Sequence, residues 1–185
     1  MPDSIAAARV ARPQHADRFH VGSMADMPFA DRSFASVLCL RFSFNALPLL
    51  TTRVAAMAEM WRVLQPGGRL AIEVFNWNYA GRFGATFVAN RLELVVRQLR
   101  WIGQGSKGSP RLPERDIIYL ANKSGSAAPG YAHLTTAREM RSLAAKAGVG
   151  GVTITSEAAL LQGEASPRGP RTWTSYSMWL TATKS

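Results

Sequence analysis

Apolar side chains recur at helical spacing over residues 54–64 and then run almost continuously from residue 70 to 75. In the first segment they follow one another at steps of three and four, the period of one helix face: Val54, Met57, Ala58, Trp61 and Leu64. The second segment is typical of a strand covered on both faces in a parallel sheet. With Thr51 or Thr52 as the helix cap, the pattern predicts a helix-to-strand unit of an α/β fold.

A tight turn is predicted between this helix and strand, where the chain reads Gln65-Pro66-Gly67-Gly68. Pro66 cannot continue a helix, and it moves the residue before it away from helical angles. We expect Gly67 and Gly68 to take the positive φ values that a sharp reversal requires.

The same patterns predict the remaining elements. Helices are expected at residues 4–12, 82–102 and 136–146, and strands at 18–22, 35–42, 152–155 and 176–183, whereas 116–120 fits a strand or a helical turn. Thr136 and Glu139 have the spacing of a capping box, and Gly148 is expected to end that helix.

The helix predicted at 82–102 carries a row of apolar side chains, called here the apolar stripe: Val88, Leu92, Val95, Val96 and Leu99. We expect the stripe to pack on the sheet. The alternatives are a lid over a substrate pocket and a basic amphipathic helix lying on an anionic membrane.

Length and charge narrow the possible classes of protein. A chain of 185 residues is sized for one domain. Its net charge of +10 comes from scattered arginines without a block of like charges, which argues against a nucleic-acid partner. Cys39 is the single cysteine, so it is expected to be a small core residue and not part of a disulfide or metal site. Without a span of about 20 apolar residues or a signal peptide, a cytoplasmic protein is predicted.

Two motifs keep their order and spacing along the chain. Residues 22–34 read GSMADMPFADRSF, and after an apolar segment residues 62–70 read RVLQPGGRL. The sequence HLTTARE at 133–139, followed by Ala147-Gly148, forms a third block. Together they resemble the class I S-adenosylmethionine-dependent methyltransferases, specifically the small-molecule group similar to methyltransferase domain 11. The resemblance covers about residues 2–183.

The resemblance implies a Rossmann-like α/β sheet with strand order 3-2-1-4-5-7-6, a helical insertion after strand 5 and a C-terminal β-hairpin. Residues 1–185 then form one partial methyltransferase domain, with 81–131 as the insertion or lid region. The first strand and its glycine-rich motif fall before residue 1. We therefore expect an N-terminally truncated methyltransferase or a misplaced start, with weak or no cofactor binding by the chain as it stands.

S-adenosyl-L-methionine is the cofactor that the resemblance implies. Its contacts fall on Ser23 and Met24 beside the adenine, and on Leu40, Arg41 and Phe42 at the end of strand 4. Ser23 replaces the aspartate typical of the family. Arg41 either pairs with a carboxylate or points to solvent, and the second alternative is favoured.

Substrate contacts are expected from Asn76, Trp77 and Tyr79, which follow strand 5. No metal is implied. His133 is the candidate general base for a phenol or enol, although its place just before a helix cap favours a surface or capping role. Glu73 lies in the middle of a strand and needs a partner if it is buried.

The predicted function is methyl transfer to a small-molecule acceptor, impaired by the missing glycine-rich motif. The alternative is a non-catalytic methyltransferase-like protein that acts through a partner subunit. Unpaired sheet edges predict association into an oligomer in either case.

Overall fold

The computed structural model describes residues 2–79, 116–120, 129–161 and 175–185, together with the five residues of the apolar stripe. The helices are α1 (Pro2–Ala11), α2 (Leu50–Val63), α3 (Ala137–Lys146) and α4 (Glu157–Leu161), and two 3₁₀ helices span Pro13–Arg18 and Ser43–Ala46. The strands are β1 (Phe34–Cys39), β2 (Leu64–Phe75), β3 (Asp116–Leu120), β4 (Pro129–His133), β5 (Thr153–Ser156) and β6 (Ser177–Thr183).

The main sheet has four strands in the order β1-β2-β6-β5. β1 and β2 are parallel, while β6 is antiparallel to both β2 and β5. This arrangement confirms the α/β fold, and it matches the 4-5-7-6 part of the strand order that the resemblance implies. The antiparallel pair β5–β6 is the expected C-terminal hairpin. β3 and β4 form a separate two-stranded sheet, so residues 116–120 are a strand.

The core lies between one face of the sheet and the helices α2 and α3. Residues from β2, β6 and both helices that are at most 1% exposed fill it: Met57, Met60, Leu70, Ile72, Val74, Met140, Leu143, Met178 and Leu180. The buried face of α2 contains Met57 and Met60, while the predicted face residues Val54 and Trp61 lie partly buried at its margin.

The helix-to-strand unit is continuous: α2 ends at Val63 and β2 begins at Leu64. Phe34 pairs with Leu64 but Ser36 pairs with Arg69, so the proline-glycine segment bulges out of the ladder. Gly67 has the predicted positive φ, at 77°.

Gly68 is required for a different reason from the predicted one. Its φ is not positive, but a Cβ atom there would lie 2.8 Å from the carbonyl oxygen of Gln65 and 3.1 Å from that of Ala35. Close backbone approach across the bulge, and not the direction of the turn, therefore excludes a side chain.

Arg62 joins the C-terminal end of α2 to the loop before β1. Its guanidinium contacts both oxygens of Glu59, at 2.7 and 2.8 Å, and the carboxylate of Asp31 at 2.6 Å. It also donates to the carbonyl oxygens of Phe29 and Met27, at 2.9 and 3.1 Å. The first two sequence motifs are thus held together by one side chain.

The C-terminal end of α2 is capped by the side chain of Lys184, which follows β6. Its Nζ donates to the carbonyl oxygens of Trp61 at 2.5 Å, Leu64 at 2.7 Å and Arg62 at 3.4 Å. A cation at a helix C-terminus satisfies carbonyls that have no partner within the helix.

Strand β1 lies at the edge of the sheet that the described strands form, contrary to the prediction that residues 35–42 form a buried strand. Val37 and Cys39 face the core, whereas Phe34 and Leu38 are 36% and 62% exposed. The face of β2 with Ala71 and Glu73 is likewise only half-buried. Alternating exposure is what a sheet covered mainly on one side produces.

Two smaller predictions are wrong. Residues 18–22 form no ladder with another strand in the described part of the chain; a 3₁₀ helix ends at Arg18, and an isolated bridge joins Ser23 to Asp26. Thr51 and Thr52 lie inside α2, because the helix begins at Leu50 with Leu49 in the cap position. A strand signal needs a neighbour to pair with, and residues 18–22 have none among the described strands.

The predicted helix α3 is confirmed together with both of its ends. The hydroxyl of Thr136 accepts from the backbone amide of Glu139 at 3.1 Å. Gly148 has a φ of 72°, and the amide of Val149 returns to the carbonyl of Ala144 at 2.9 Å. This is the left-handed termination that glycine favours.

The apolar stripe is helical as predicted, but the expected packing on the sheet is wrong. All five of its side chains are exposed, by 44% to 63%. The rest of residues 82–102 lies outside the described residues. Among the described helices, none is both long and apolar enough to cross a membrane.

The carboxylate of Glu59 is expected to stabilise the fold in a pH-dependent way. Hydrogen bonds from Arg62 and from the Met27 amide lower its pKa from 4.5 to about 2. Because the pKa is lower in the folded state, this stabilisation is present above pH 4.5 and is lost as the pH falls toward 2. Replacing Glu59 by Gln should lower the free energy of unfolding by about 1–3 kcal/mol at pH 7, measured by urea denaturation.

The difference between the parent chain and Glu59→Gln should shrink between pH 4.5 and 2. Asp17→Asn, at an exposed carboxylate, is the control and should change stability by less than about 0.5 kcal/mol. A destabilisation by Glu59→Gln that stays constant over this pH range would contradict the assignment.

Substituting Gly68 by Ala should destabilise the chain by about 1–3 kcal/mol in thermal or urea unfolding, since the added methyl group meets backbone atoms that cannot move aside. Gly150→Ala is the matched control: nothing lies within 4 Å of its added Cβ, and its φ is not positive. It should leave stability within about 0.5 kcal/mol of the parent. Equal effects of the two substitutions would show that the bulge yields to the methyl group.

Candidate functional site

The carboxyl ends of β1 and β2 lie at the same edge of the sheet because the two strands are parallel. β6 begins at this edge, with Ser177 opposite Phe75, since it is antiparallel to β2. Ligands of open α/β sheets bind beyond the carboxyl ends of the strands. The segments that meet here are residues 40–43, 75–79 and 175–177.

A left-handed turn follows β1 and carries two of the predicted cofactor residues. Arg41 and Phe42 both have a φ of 58°, which non-glycine residues seldom adopt. The turn is held by Glu73, whose Oε2 accepts from the backbone amide of Arg41 at 2.7 Å. Glu73 thereby has a backbone partner, and the Arg41 residue itself is exposed. Strained backbone of this kind concentrates at functional sites.

The turn places Phe42 in an aromatic cluster with Phe75, Tyr79 and Tyr176. Phe42 stacks on Phe75 with ring centroids 3.7 Å apart and planes inclined by 14°. Tyr176 stands edge-on to both rings, at 5.5 and 5.3 Å, and its ring also meets Tyr79 at 5.6 Å. Tyr79 is 6% exposed, while Tyr176 is 37% exposed. The cluster presents a partly open aromatic surface at the sheet edge.

A cleft of about 210 Å³ opens beside the end of β1. Its lining comes from β1, α2 and the loop before β1: Met24, Met27, Val37, Leu38, Cys39, Leu40, Ser43 and Met60. Met24 and Leu40, both predicted to contact the cofactor, thus line one cleft. The sulfur atoms of Met24 and Cys39 lie 3.9 Å apart. Burial raises the pKa of the Cys39 thiol to about 11, which leaves it neutral, in keeping with the predicted core role.

Ser23, also predicted to contact the cofactor, forms a local turn. Its hydroxyl accepts from the amide of Ala25 at 3.2 Å, and its carbonyl accepts from the amide of Asp26 at the same distance. It precedes Met24 in the same loop and is exposed.

The predicted substrate residues lie in the segment that follows β2 and leads into the aromatic cluster. Asn76 is fully buried, and its side chain donates to the carbonyl of Ser175 and accepts from the amide of Asn78, each at 2.9 Å. Trp77 is half-buried, with its amide bonded to the carbonyl of Thr135 at 3.0 Å. Asn76 thus fixes the loop, while Tyr79 belongs to the aromatic cluster itself.

His133 is buried between two carboxylates, which contradicts the favoured surface location. Its Nδ1 lies 2.6 Å from Asp116 and its Nε2 lies 2.7 Å from Glu139, with the imidazole side chain 3% exposed. Glu139 is the capping-box glutamate, so the predicted link to the helix cap does exist. Both ring nitrogens are engaged in these contacts. The phenol of Tyr131 is hydrogen-bonded to Asp116. Its pKa is raised, mainly by burial and secondly by this hydrogen bond.

Asn45 connects this buried polar group to the aromatic cluster, and sequence reasoning missed it. Its amide nitrogen donates to the carbonyl of His133 and to the hydroxyl of Thr135, and its oxygen accepts from the amide of Phe75 at 3.0 Å. It is 1% exposed. A polar residue between Phe44 and Ala46 in an otherwise apolar segment was the available signal.

The cleft fits only part of S-adenosyl-L-methionine. Its volume lies below the range of about 300–1,000 Å³ that is usual for sites enclosing drug-sized ligands. Its lining is apolar apart from Ser43 and the Cys39 thiol, which suits a flat heterocycle such as adenine. Among the residues that the structure describes, the lining offers no charged side chain to the carboxylate and ammonium groups of the methionine portion.

Comparison with known proteins shows similarity to methyltransferases. The family described as "Methyltransferase domain" matches residues 2–72. A demethylmenaquinone methyltransferase of Deinococcus radiodurans is 39% identical over 83 residues, which are 45% of this chain and 33% of that protein. One from Renibacterium salmoninarum is 33% identical over 103 residues, 56% of this chain and 38% of that protein. The matches therefore span little more than a third of these relatives.

The fold is shared with solved structures. A SAM-dependent methyltransferase from Methanosarcina mazei superimposes with a TM-score of 0.58 at 17% identity, over 90% of this chain and 66% of that one. The CcbJ methyltransferase from Streptomyces caelestis gives 0.57 at 11% identity, over 98% and 75%. Residues 2–72 are therefore similar to the methyltransferase-domain family, and the chain shares the Rossmann-like fold of these solved methyltransferases.

Proposed function

We propose that this chain provides the acceptor side of methyl transfer from S-adenosyl-L-methionine to a small aromatic acceptor of the quinone or quinol class. The observation that carries the proposal is the stack of Phe42 on Phe75, with Tyr176 edge-on to both, at the carboxyl edge of the sheet. A flat acceptor can stack on such rings or meet them edge-on. Both curated relatives are named for a quinone substrate, which supports the acceptor class.

The side chains at this edge suit a reaction that depends on positioning. The cofactor, when bound, supplies an activated methyl group on sulfur, and transfer requires the acceptor atom in line with that bond. The aromatic cluster orients the acceptor ring and excludes water. The contact between the Arg41 amide and Glu73 keeps Phe42 in place, and the cleft at Met24 and Leu40 accepts the adenine.

His133 supports the site from behind in this proposal. Its ring nitrogens already contact Asp116 and Glu139. The side chain of Asn45 links the backbone carbonyl of His133 to the backbone amide of Phe75. We therefore assign His133 a positioning role, and the acceptor proton leaves to solvent or to a group beyond these residues.

A second function, a non-catalytic protein that acts through a partner subunit, is favoured by the open edge of β1. Leu38 is 62% exposed, and within the described strands β1 pairs with β2 alone. An exposed edge with apolar side chains is a template for another chain. This alternative predicts that the aromatic cluster binds no acceptor-like ring.

Substituting Phe42 by Leu should weaken binding of a short-chain 1,4-naphthoquinone by about 2–10-fold, since one aromatic stacking partner is lost. Quenching of intrinsic fluorescence measures the affinity. Phe34→Leu is the matched control: Phe34 is also a partly exposed ring, but it lies at the amino end of β1 and should leave the affinity unchanged. Absence of binding by the parent chain would contradict the proposal and favour the second function.

Cofactor affinity is expected to be weak for this chain, because the described residues that line the cleft include no charged group for the methionine end. Calorimetric titration with S-adenosylhomocysteine should show little or no heat at micromolar ligand. A dissociation constant in the micromolar range would contradict this expectation, and Leu40→Asp should then abolish the binding if the cleft is the site.

A further inference from the structure

The apolar stripe keeps its side chains in solvent along one helix face. The exposed fractions are 53% for Val88, 62% for Leu92, 55% for Val95, 44% for Val96 and 63% for Leu99. Contiguous exposed apolar surface of this kind marks an interaction site, whereas single exposed apolar residues are ordinary. The aromatic cluster and the cleft involve none of these five residues.

We propose that the apolar stripe docks on an anionic membrane surface. The segment 82–102 contains four arginines and a single acidic residue, Glu93. The whole chain has 22 basic against 12 acidic side chains. Helices that lie in a membrane interface combine an apolar face with arginine or lysine nearby, and anionic lipids attract them. The proposal is independent of the methyl transfer proposed above.

The net charge of the chain and the length of the apolar stripe argue against a second copy of this chain as the partner that covers the stripe. Val88, Leu92, Val95 and Leu99 are spaced by four, three and four residues, which is coiled-coil spacing. They span less than two heptads, however, and a stable coiled coil needs three or four. Two copies, each with a net charge of +10, also repel one another. A membrane with anionic headgroups instead attracts the positively charged chain.

The helix is expected to lie on the membrane and not to cross it. The arginines at positions 91, 97 and 100 interrupt the apolar sequence, and charged groups in the bilayer centre are costly. The apolar side chains of the stripe would enter the boundary between headgroups and acyl chains.

Co-sedimentation of the full chain with vesicles tests the proposal. Vesicles of phosphatidylglycerol and phosphatidylcholine in equal parts should bind the chain at least about tenfold more strongly than pure phosphatidylcholine, and added salt should weaken this binding. The double variant Leu92→Ser/Leu99→Ser should lower binding to the anionic vesicles by about tenfold or more, because two buried apolar contacts are lost.

The matched control is Val10→Ser/Leu161→Ser, which removes two apolar side chains that are 82% and 81% exposed elsewhere on the chain. It should bind like the parent. The proposal is overturned if the parent chain does not sediment with anionic vesicles, if both double variants lose binding equally, or if neutral vesicles bind as strongly. Sedimentation equilibrium would also overturn it by showing a dimer that Leu92→Ser/Leu99→Ser dissociates.

Discussion

The guanidinium of Arg62 joins the helix before the long strand to the loop before the edge strand. One planar group contacts two carboxylates, Glu59 and Asp31, and the loop carbonyls. Arginine suits this position because its five donors point in fixed directions, whereas lysine offers a single charged centre. The ion pairs are partly exposed, so their main effect is geometric: they hold the loop before β1 against the end of α2, and Met27 of this loop lines the cleft.

The order and type of the elements could be predicted because local rules determine them. Helical spacing located α2, the capping box located α3, and the family motifs gave the order of β1, β2, β6 and β5. Exposure could not be predicted from apolar content alone. Leu38 and the apolar stripe read as core residues, but a sequence does not state whether a neighbouring element exists to cover them. The role of Gly68 likewise depends on the carbonyl of Ala35, which lies on another strand.

The location of the segments that carry the proposed site residues was predictable, whereas the role of these residues remains a proposal. The residues chosen at 23–24, 40–42 and 76–79 all fall near the carboxyl edge of the sheet, because parallel strands bring such segments together. Their contacts were not predictable. Tyr176 joins the cluster from a distant part of the chain, and Asn45 and Asp116 act through partners some 17 to 90 residues away. The buried contacts of His133 show how a residue next to a helix cap can become an interior group.

The position of β6 affects the order in which the sheet can form. It is the last of the four strands along the chain, yet it lies between β2 and β5 in the sheet. During synthesis β5 therefore has no sheet neighbour among the described strands until β6 has left the ribosome, and Lys184 closes α2 only afterwards. Contacts between residues so far apart form slowly. Until β6 is available, the edge of β2 that it covers stays unpaired, and unpaired strand edges make incompletely formed sheets prone to association.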